Sequence, residues 1–364
     1  MTGVGSFRYE SLPGRVVFGS GTLDRLPEEA ARLHLRRVLI VGTPGQTALA
    51  ERARAHLGDA AAGIFSRAAM HTPEEVTRSA LDIAQKLNAD GVVAIGGGSA
   101  IGLGKALALR TNFPQIVVPT TYAGSEATPV LGETVDNLKR TQRSLSVLPE
   151  TIVYDVELTL QLPVGISMAS GLNAMAHAAE ALYAVDGNPL THLMAQQALD
   201  AFVLALPRIQ AHAQDTDARA SALYAAWLSG CCLASVGMAL HHKLCHTLGG
   251  TFGLPHAETH AIVLPHALAY NLAHAPAARR TLSCVFHGQE PSLALERFAR
   301  GLNVPRSLRD IGMPEREIDR AADLAAANPY PNPRPVERDA IRALIARAWA
   351  GELPRVSVTE AIHE

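Results

Sequence analysis

The sequence predicts an α/β domain built on a doubly wound parallel sheet, followed by an all-α domain. Three observations carry this. Short, nearly all-apolar runs alternate with amphipathic helical stretches over the first ~155 residues. A glycine-rich turn separates one such run from a helix. After about Leu162 the chain becomes Ala- and Leu-rich, with helical spacing and few strand-like runs.

The strands predicted are Arg37–Val41 (RVLIV), Gly91–Ile95 (GVVAI), Gln115–Pro119 (QIVVP) and Thr151–Tyr154 (TIVY). A strand buried on both faces of a parallel sheet has no polar alternation, and these have none. Between them lie helical segments such as Pro73–Asn88, where Thr72 suits an N-cap and Pro73 the first helical position. Helices are predicted over Ala169–Tyr183, Leu190–His212, Ala218–Leu248, Leu293–Leu302, Glu315–Ala326 and Val336–Ala350. The domain boundary is placed near Asp155–Pro163, giving an α/β domain over 1–158 and a helical domain over 159–364.

At 364 residues the chain is long enough for two domains. Hydrophobic residues make up 48% and charged residues 18%, as in a soluble globular protein. A net charge of −2 gives no basic surplus for nucleic acid or an anionic membrane. The apolar runs fall short of the ~20 residues of a membrane span, and the first residues carry no signal-peptide core. The cysteines, Cys231, Cys232, Cys245 and Cys284, form no CxxC pair. Reduced thiols in a cytoplasmic protein are expected.

GVVAIGGGSAIGLGKALAL, Gly91–Leu109, reads as strand, glycine turn and helix. Gly96, Gly97 and Gly98 take side chains away where backbone N–H groups and the positive end of a helix dipole meet, which suits a phosphate. Ser99 can cap the helix or donate to that phosphate. The spacing is neither GxGxxG nor a Walker A loop, so the turn alone leaves a bare structural turn open. A second small, polar turn, PTTYAGSEATP, ends the next strand and supplies Thr120, Thr121 and Ser125. Two such turns at adjacent strand ends fit a dinucleotide lying across the sheet edge. The first strand ends in Gly42 and Thr43 with no acid, so nothing there repels the 2′-phosphate of NADPH.

Histidines cluster between His177 and His266. Asn173 and His177 are spaced i, i+4, as are His242 and His246, and His256 follows a glycine-rich break. Helical pairs at this spacing share a face and can present imidazoles to a metal. One isolated pair is more often packing than ligand. Three such elements in one helical domain favour a site. His260 and His266 stay undecided between structure and catalysis, structure being the commoner role.

GGGSAIGLGKA, PTTYAGSEAT, LPETIVYDVELTLQLP, SGLNAMAHAAEALYA and KLCHTLGGTFGLPHAETHAIVLPHALAYN resemble, in order, the successive motifs of the iron-containing alcohol dehydrogenase superfamily. FRYESLPGRVVFGSG and NPYPNPRPVERDAIRALIARAWAG further resemble its maleylacetate reductase group. The resemblance implies a Rossmann-like domain followed by a helical domain, the architecture shared with dehydroquinate synthases, with the site in the cleft between and a homodimer as the usual assembly. It implies that Gly96, Gly97, Gly98 and Ser99 hold the NAD(P) pyrophosphate, with Thr120, Thr121 and Lys139 near the rest of the nucleotide. The superfamily's metal-ligand positions fall on Asn173, His177, His242 and His256, with His246 beside them.

Asn173 departs from the superfamily, which carries Asp there. An amide oxygen in place of the anionic ligand should cost much of the affinity for a divalent ion, so catalysis is expected to need no metal. The resemblance then implies reduction of the C=C bond of 2-maleylacetate to 3-oxoadipate by NADH or NADPH, in the breakdown of aromatic compounds. His177, His242 and His256 are expected to form a cationic pocket, with His246 or His242 as proton donor at a histidine pKa near 6.5. Tyr122, Asn173 and Lys243 are expected to contact the dicarboxylate substrate. The alternatives are a metal-dependent alcohol dehydrogenase, a dehydroquinate synthase-like lyase and a non-catalytic NAD-binding regulator.

Overall fold

The computed structural model describes residues 6–136, 138–327 and 330–356, with the side chains of 138 and 139 outside the description. The strands are β1 (Arg15–Gly19), β2 (Val38–Val41), β3 (Ala61–Phe65), β4 (Gly91–Gly96), β5 (Gln115–Pro119), β6 (Val130–Val135), β7 (Leu138–Arg143) and β8 (Thr151–Asp155). The helices of the α/β unit are α1 (Leu26–Arg32), α2 (Thr47–Leu57), α3 (Glu74–Lys86) and α4 (Gly98–Thr111). Then come α5 (Val164–Ala181), α6 (Pro189–Ala211), α7 (Thr216–Ser235), α8 (Leu240–Phe252), α9 (His256–Asn271), α10 (Pro276–Val285), α11 (Pro291–Gly301), α12 (Ile318–Ala326) and α13 (Arg338–Ala350).

Among the described residues the main sheet has the order β1-β8-β5-β4-β2-β3, with every pairing parallel. The four predicted strands are its four central members, and each is buried along its whole length. β6 and β7 form a separate antiparallel pair. The strand order reverses between β2 and β4, because β3 lies on the far side of β2 while β5 and β8 extend beyond β4. Loops leaving the carboxyl ends of β2 and β4 therefore part, and open α/β sheets bind ligands at such a switch point.

Two compact units are present, as the composition shift predicts. The α/β unit runs from Ser11 to Pro163, slightly past the expected boundary, and also includes Gln214–Leu223 at the start of α7. Arg219 accounts for the return of that segment. It is fully buried, and its guanidinium donates to Tyr122 Oη at 3.1 Å and to the Leu162 carbonyl at 3.1 Å. A desolvated guanidinium is stable only where such acceptors meet it.

Two local expectations shift, and one helix is added. Thr72 is not the cap of α3: it is buried with φ 47, and Pro73 occupies the N-cap. The predicted helix Ala218–Leu248 is two helices, α7 and α8, bent by 96° at a break between Ser235 and Leu240. The helix after Pro255 (α9) continues through Pro265 to Asn271. In the helical unit α5 packs on α6 and α9, and its residues from Ser167 to Ala181 are all buried. α8, α9, α12 and α13 share a core of Leu240, Leu244, Val263, Ala321 and Ile341, among others. Among the described residues no single helix is long and apolar enough to cross a membrane.

Candidate active site

In the α/β unit the glycine turn stands at the switch point. Gly96 ends β4 with φ 140, a backbone that L side chains rarely adopt, and a Cβ there would lie 2.5 Å from Gln46 Oε1. A Cβ on Gly97 would meet Thr121 Cγ2 at 3.0 Å, so the two polar turns approach closely. Gly98 begins α4 and faces open space. Gly97, not Ser99, is the N-cap of α4, and among the described residues no side chain caps that end. The first N–H groups of α4 are thus left for a ligand, and the glycine cradle fits a pyrophosphate.

The second turn is tied to the first. Gln46, after β2, donates through Nε2 to Thr120 Oγ1 at 3.0 Å, and the Thr120 N–H donates to the Gly96 carbonyl at 3.0 Å. Lys105, on α4, is buried and gathers the turn from beneath. Its Nζ donates to the carbonyls of Ser125 (2.7 Å), Thr128 (2.6 Å) and Val130 (3.0 Å), and lies 3.1 Å from Thr128 Oγ1. Burial pulls this ammonium down to about 7, against the opposing pull of Glu126. Sequence reading assigned Lys105 no role, since a lysine on a helix usually faces water. Tyr122 does not offer the free hydroxyl expected for a substrate contact: it is fully buried, and Arg219 engages its oxygen. Lys139 lies on β7, with its backbone opposite Thr134. Its side chain is outside the described residues.

In the helical unit Asn173, His177 and Glu180 lie along α5 at helical spacing, all buried. Glu180 is the residue that sequence reading missed. Its carboxylate accepts the backbone N–H groups of Ala239 at 3.1 Å and His241 at 2.9 Å, at the start of α8. His242 Nδ1 lies 2.6 Å from Glu180 Oε2. Burial pushes the Glu180 carboxyl above its usual range, and His241 and these N–H groups oppose that rise. His242 Nδ1 and Glu180 thus share one proton, and His242 Nε2 lies on the other side of the ring. That atom, Asn173 Oδ1 and His177 Nδ1 are buried with no hydrogen-bond partner among the described residues.

The rings of His177 and His242 lie 4.9 Å apart, those of His242 and His246 6.1 Å, and those of His246 and His256 6.3 Å. The four predicted histidines therefore do come together. His246, His256 and Lys243 are exposed, whereas His177 and His242 are buried. Two further imidazoles join them. His260 is fully enclosed, its ring 4.2 Å from that of His256, and neither of its nitrogens has a partner among the described residues. His241 bonds the His260 carbonyl through Nε2 at 2.9 Å.

Burial corrects the expected charge. Desolvation, helped by neighbouring imidazoles, holds His177, His242 and His260 well below the ordinary histidine value, and His241 at about 4. These rings are neutral near pH 7, so the expected cationic pocket is absent from the buried half of the site. The donor set that would face a metal is an amide oxygen and neutral imidazoles. Among the described residues, the acid, Cys and His groups whose ligand atoms lie within 4.8 Å of one another are His241–Cys245–His260 and Glu180–His241–His242. Neither is the superfamily's ligand set.

The family model described as iron-containing alcohol dehydrogenase matches residues 13–156, and that of the Fe-containing alcohol dehydrogenase C-terminal region matches 167–349. A maleylacetate reductase of Rhizobium sp. is 54% identical over 348 residues, covering 96% of this chain and 99% of that protein. One from Sphingobium indicum is 50% identical over 348 residues, with the same coverage of 96% and 99%. The crystal structure of maleylacetate reductase from Agrobacterium tumefaciens superposes with a TM-score of 0.94 at 52% identity, covering 96% of this chain and 100% of that one. The chain belongs to the iron-containing alcohol dehydrogenase family, within its maleylacetate reductase group.

Proposed function

We propose that the protein reduces the C=C bond of 2-maleylacetate, giving 3-oxoadipate, with NADH or NADPH as reductant and no resident metal. The observation that carries this reading is Asn173, an uncharged amide buried among neutral imidazoles in a chain whose relatives are maleylacetate reductases. An amide oxygen is a weaker ligand than the carboxylate it replaces, so Asn173 lowers the affinity of this set for a divalent ion.

Bound NAD(P)H would supply the hydride. In this reading Gly96, Gly97, Gly98 and Ser99 hold its pyrophosphate at the start of α4, and Thr120, Thr121 and Lys139 lie along the rest of the nucleotide. Nothing acidic stands at the end of β2, where Gly42 and Thr43 follow, so both cofactors are expected to serve.

Hydride adds to the substrate carbon β to the ketone. The C=C electron pair moves onto the ketone oxygen as an enolate, and a proton then closes the adjacent carbon. Asn173 offers a donor as well as an acceptor, which an Asp would not, and with His177 and His256 it is proposed to bind the enolate oxygen. In this reading the proton shared with Glu180 stays on His242 Nδ1, so its Nε2 is an acceptor that orients rather than a donor. His246, exposed one turn along α8, is therefore the proposed proton donor. Lys243, exposed beside it, supplies positive charge for a substrate carboxylate.

Oxidation of NADH and of NADPH with maleylacetate tests the proposal. His246→Ala is expected to lose about 10²-fold or more in kcat. Wild-type turnover by both His246→Ala and His256→Ala would sink the site assignment. The homodimer implied by the resemblance is part of the same proposal, and light scattering reads it.

A further inference from the structure

A cationic feature lies in the helical unit, away from the histidine cluster. His266 and Tyr270, one turn apart on α9, line a cavity of about 590 Å³ together with Arg334, Arg347 and Arg355. Ala340 and Ala343 on α13 present only methyl groups there, which leaves the space open. At 1.5 Å per residue, His266 is about 15 Å along α9 from His256. Small-molecule sites typically enclose ~300–1,000 Å³.

Among the described residues the lining holds guanidinium groups and no carboxylate. Arg334 is stacked on Tyr270, its Cζ 4.2 Å from the ring centre, which fixes the plane of its fork. Its ion pair with Glu337 is long, 4.0 Å, and that glutamate is 68% exposed. Arg347 meets Glu352 at 3.0 Å, and Glu352 is 56% exposed. Exposed pairs of this kind are weak and yield readily to a better anion. Arg355 makes no ion pair among the described residues. Burial and the Arg347 charge hold the His266 imidazole at about 4, which leaves it a neutral hydrogen-bonding group.

We infer that this cavity binds a small polyanion carrying two or more carboxylate or phosphate groups, gripped by the forks of Arg334, Arg347 and Arg355. Planar forks match both oxyanions bidentately, and three of them exceed what one carboxylate can use. The inference does not depend on the reductase reading, because these residues hold neither cofactor nor substrate in it. The candidate sources are a dicarboxylate of the kind this chemistry produces and a phosphate-bearing metabolite.

Calorimetric titration of the full chain with adipate, and separately with inorganic phosphate, tests it against Arg334→Leu/Arg355→Leu, with NAD⁺ saturating in both samples. Wild type is expected to bind one molecule more than the double variant, or to bind it at least tenfold more tightly, while turnover without added anion stays within twofold. The probe that shows the difference identifies the source. Identical isotherms for wild type and variant with both probes would overturn the inference. Circular dichroism melts that coincide for the two proteins exclude misfolding as the cause of a loss. Failure of maleylacetate turnover would sink the reductase reading and leave the titration difference readable.

Discussion

Glu180 Oε2 lies 2.6 Å from His242 Nδ1, and this pair joins α5 to α8 within the helical unit. The carboxylate also takes the backbone N–H groups of Ala239 and His241, so one side chain closes the start of α8 and sets a histidine tautomer. Glu180→Gln keeps the shape and one acceptor oxygen but frees the imidazole to flip. The expected result is a fall of roughly 10²-fold in kcat with little change in the KM for NAD(P)H, read from steady-state kinetics. An unchanged kcat would mean that the tautomer does not matter.

Asn173→Asp restores the missing anion to the donor set. The variant is expected to retain about one Zn²⁺ or Fe²⁺ per chain after loading and desalting, while wild type retains far less, as measured by elemental analysis. Equal retention by the two proteins would show that the amide does not decide metal affinity.

Acid stability follows from the buried imidazoles. Their folded values lie below the unfolded value of about 6.5, so the unfolded chain binds protons first as pH falls. Stability is full above about pH 6.5 and is lost as pH drops toward the folded values, which are about 4 for His241 and His266. Each such group contributes about 1.4 kcal/mol per pH unit within its window. Melting temperatures should therefore fall steeply between pH 6.5 and 4.5, and a flat profile there would contradict neutral burial.

Lys105 gathers carbonyls from Ser125 to Val130 beneath the second polar turn. Lys105→Met leaves those oxygens buried without a donor, at a cost of about 1–3 kcal/mol for each one not rescued by water. A lower urea midpoint is expected, with a several-fold higher KM for NAD(P)H and a smaller change in the KM for the keto-diacid. A drop in stability with both KM values unchanged would limit Lys105 to the fold.

The parts of this molecule that were legible in its sequence are those with a strong single period. β2, β4, β5 and β8 are buried on both faces and read as apolar runs. β1 (RVVFG) and β3 (AAGIF) are only partly buried and escaped notice. α9 was hidden by Pro265, which the helix accommodates internally. The break between α7 and α8 carries no proline and reads as continuous helix. At the site, the i, i+4 pairs exposed the histidines. Glu180 was overlooked three residues beyond His177 in an Ala-rich helix, although an acid in a helix so apolar was itself a signal of a buried partner. The charge of the histidines was misjudged because burial, not spacing, sets it.

An uncharged set around Asn173 is proposed to run this reduction without a metal. Turnover of maleylacetate with NADH and with NADPH, before and after exhaustive EDTA treatment and desalting, tests it most directly. The same kcat is expected with and without chelation, and no gain on adding Fe²⁺ or Zn²⁺. Loss of turnover on chelation, restored by either ion, would contradict it.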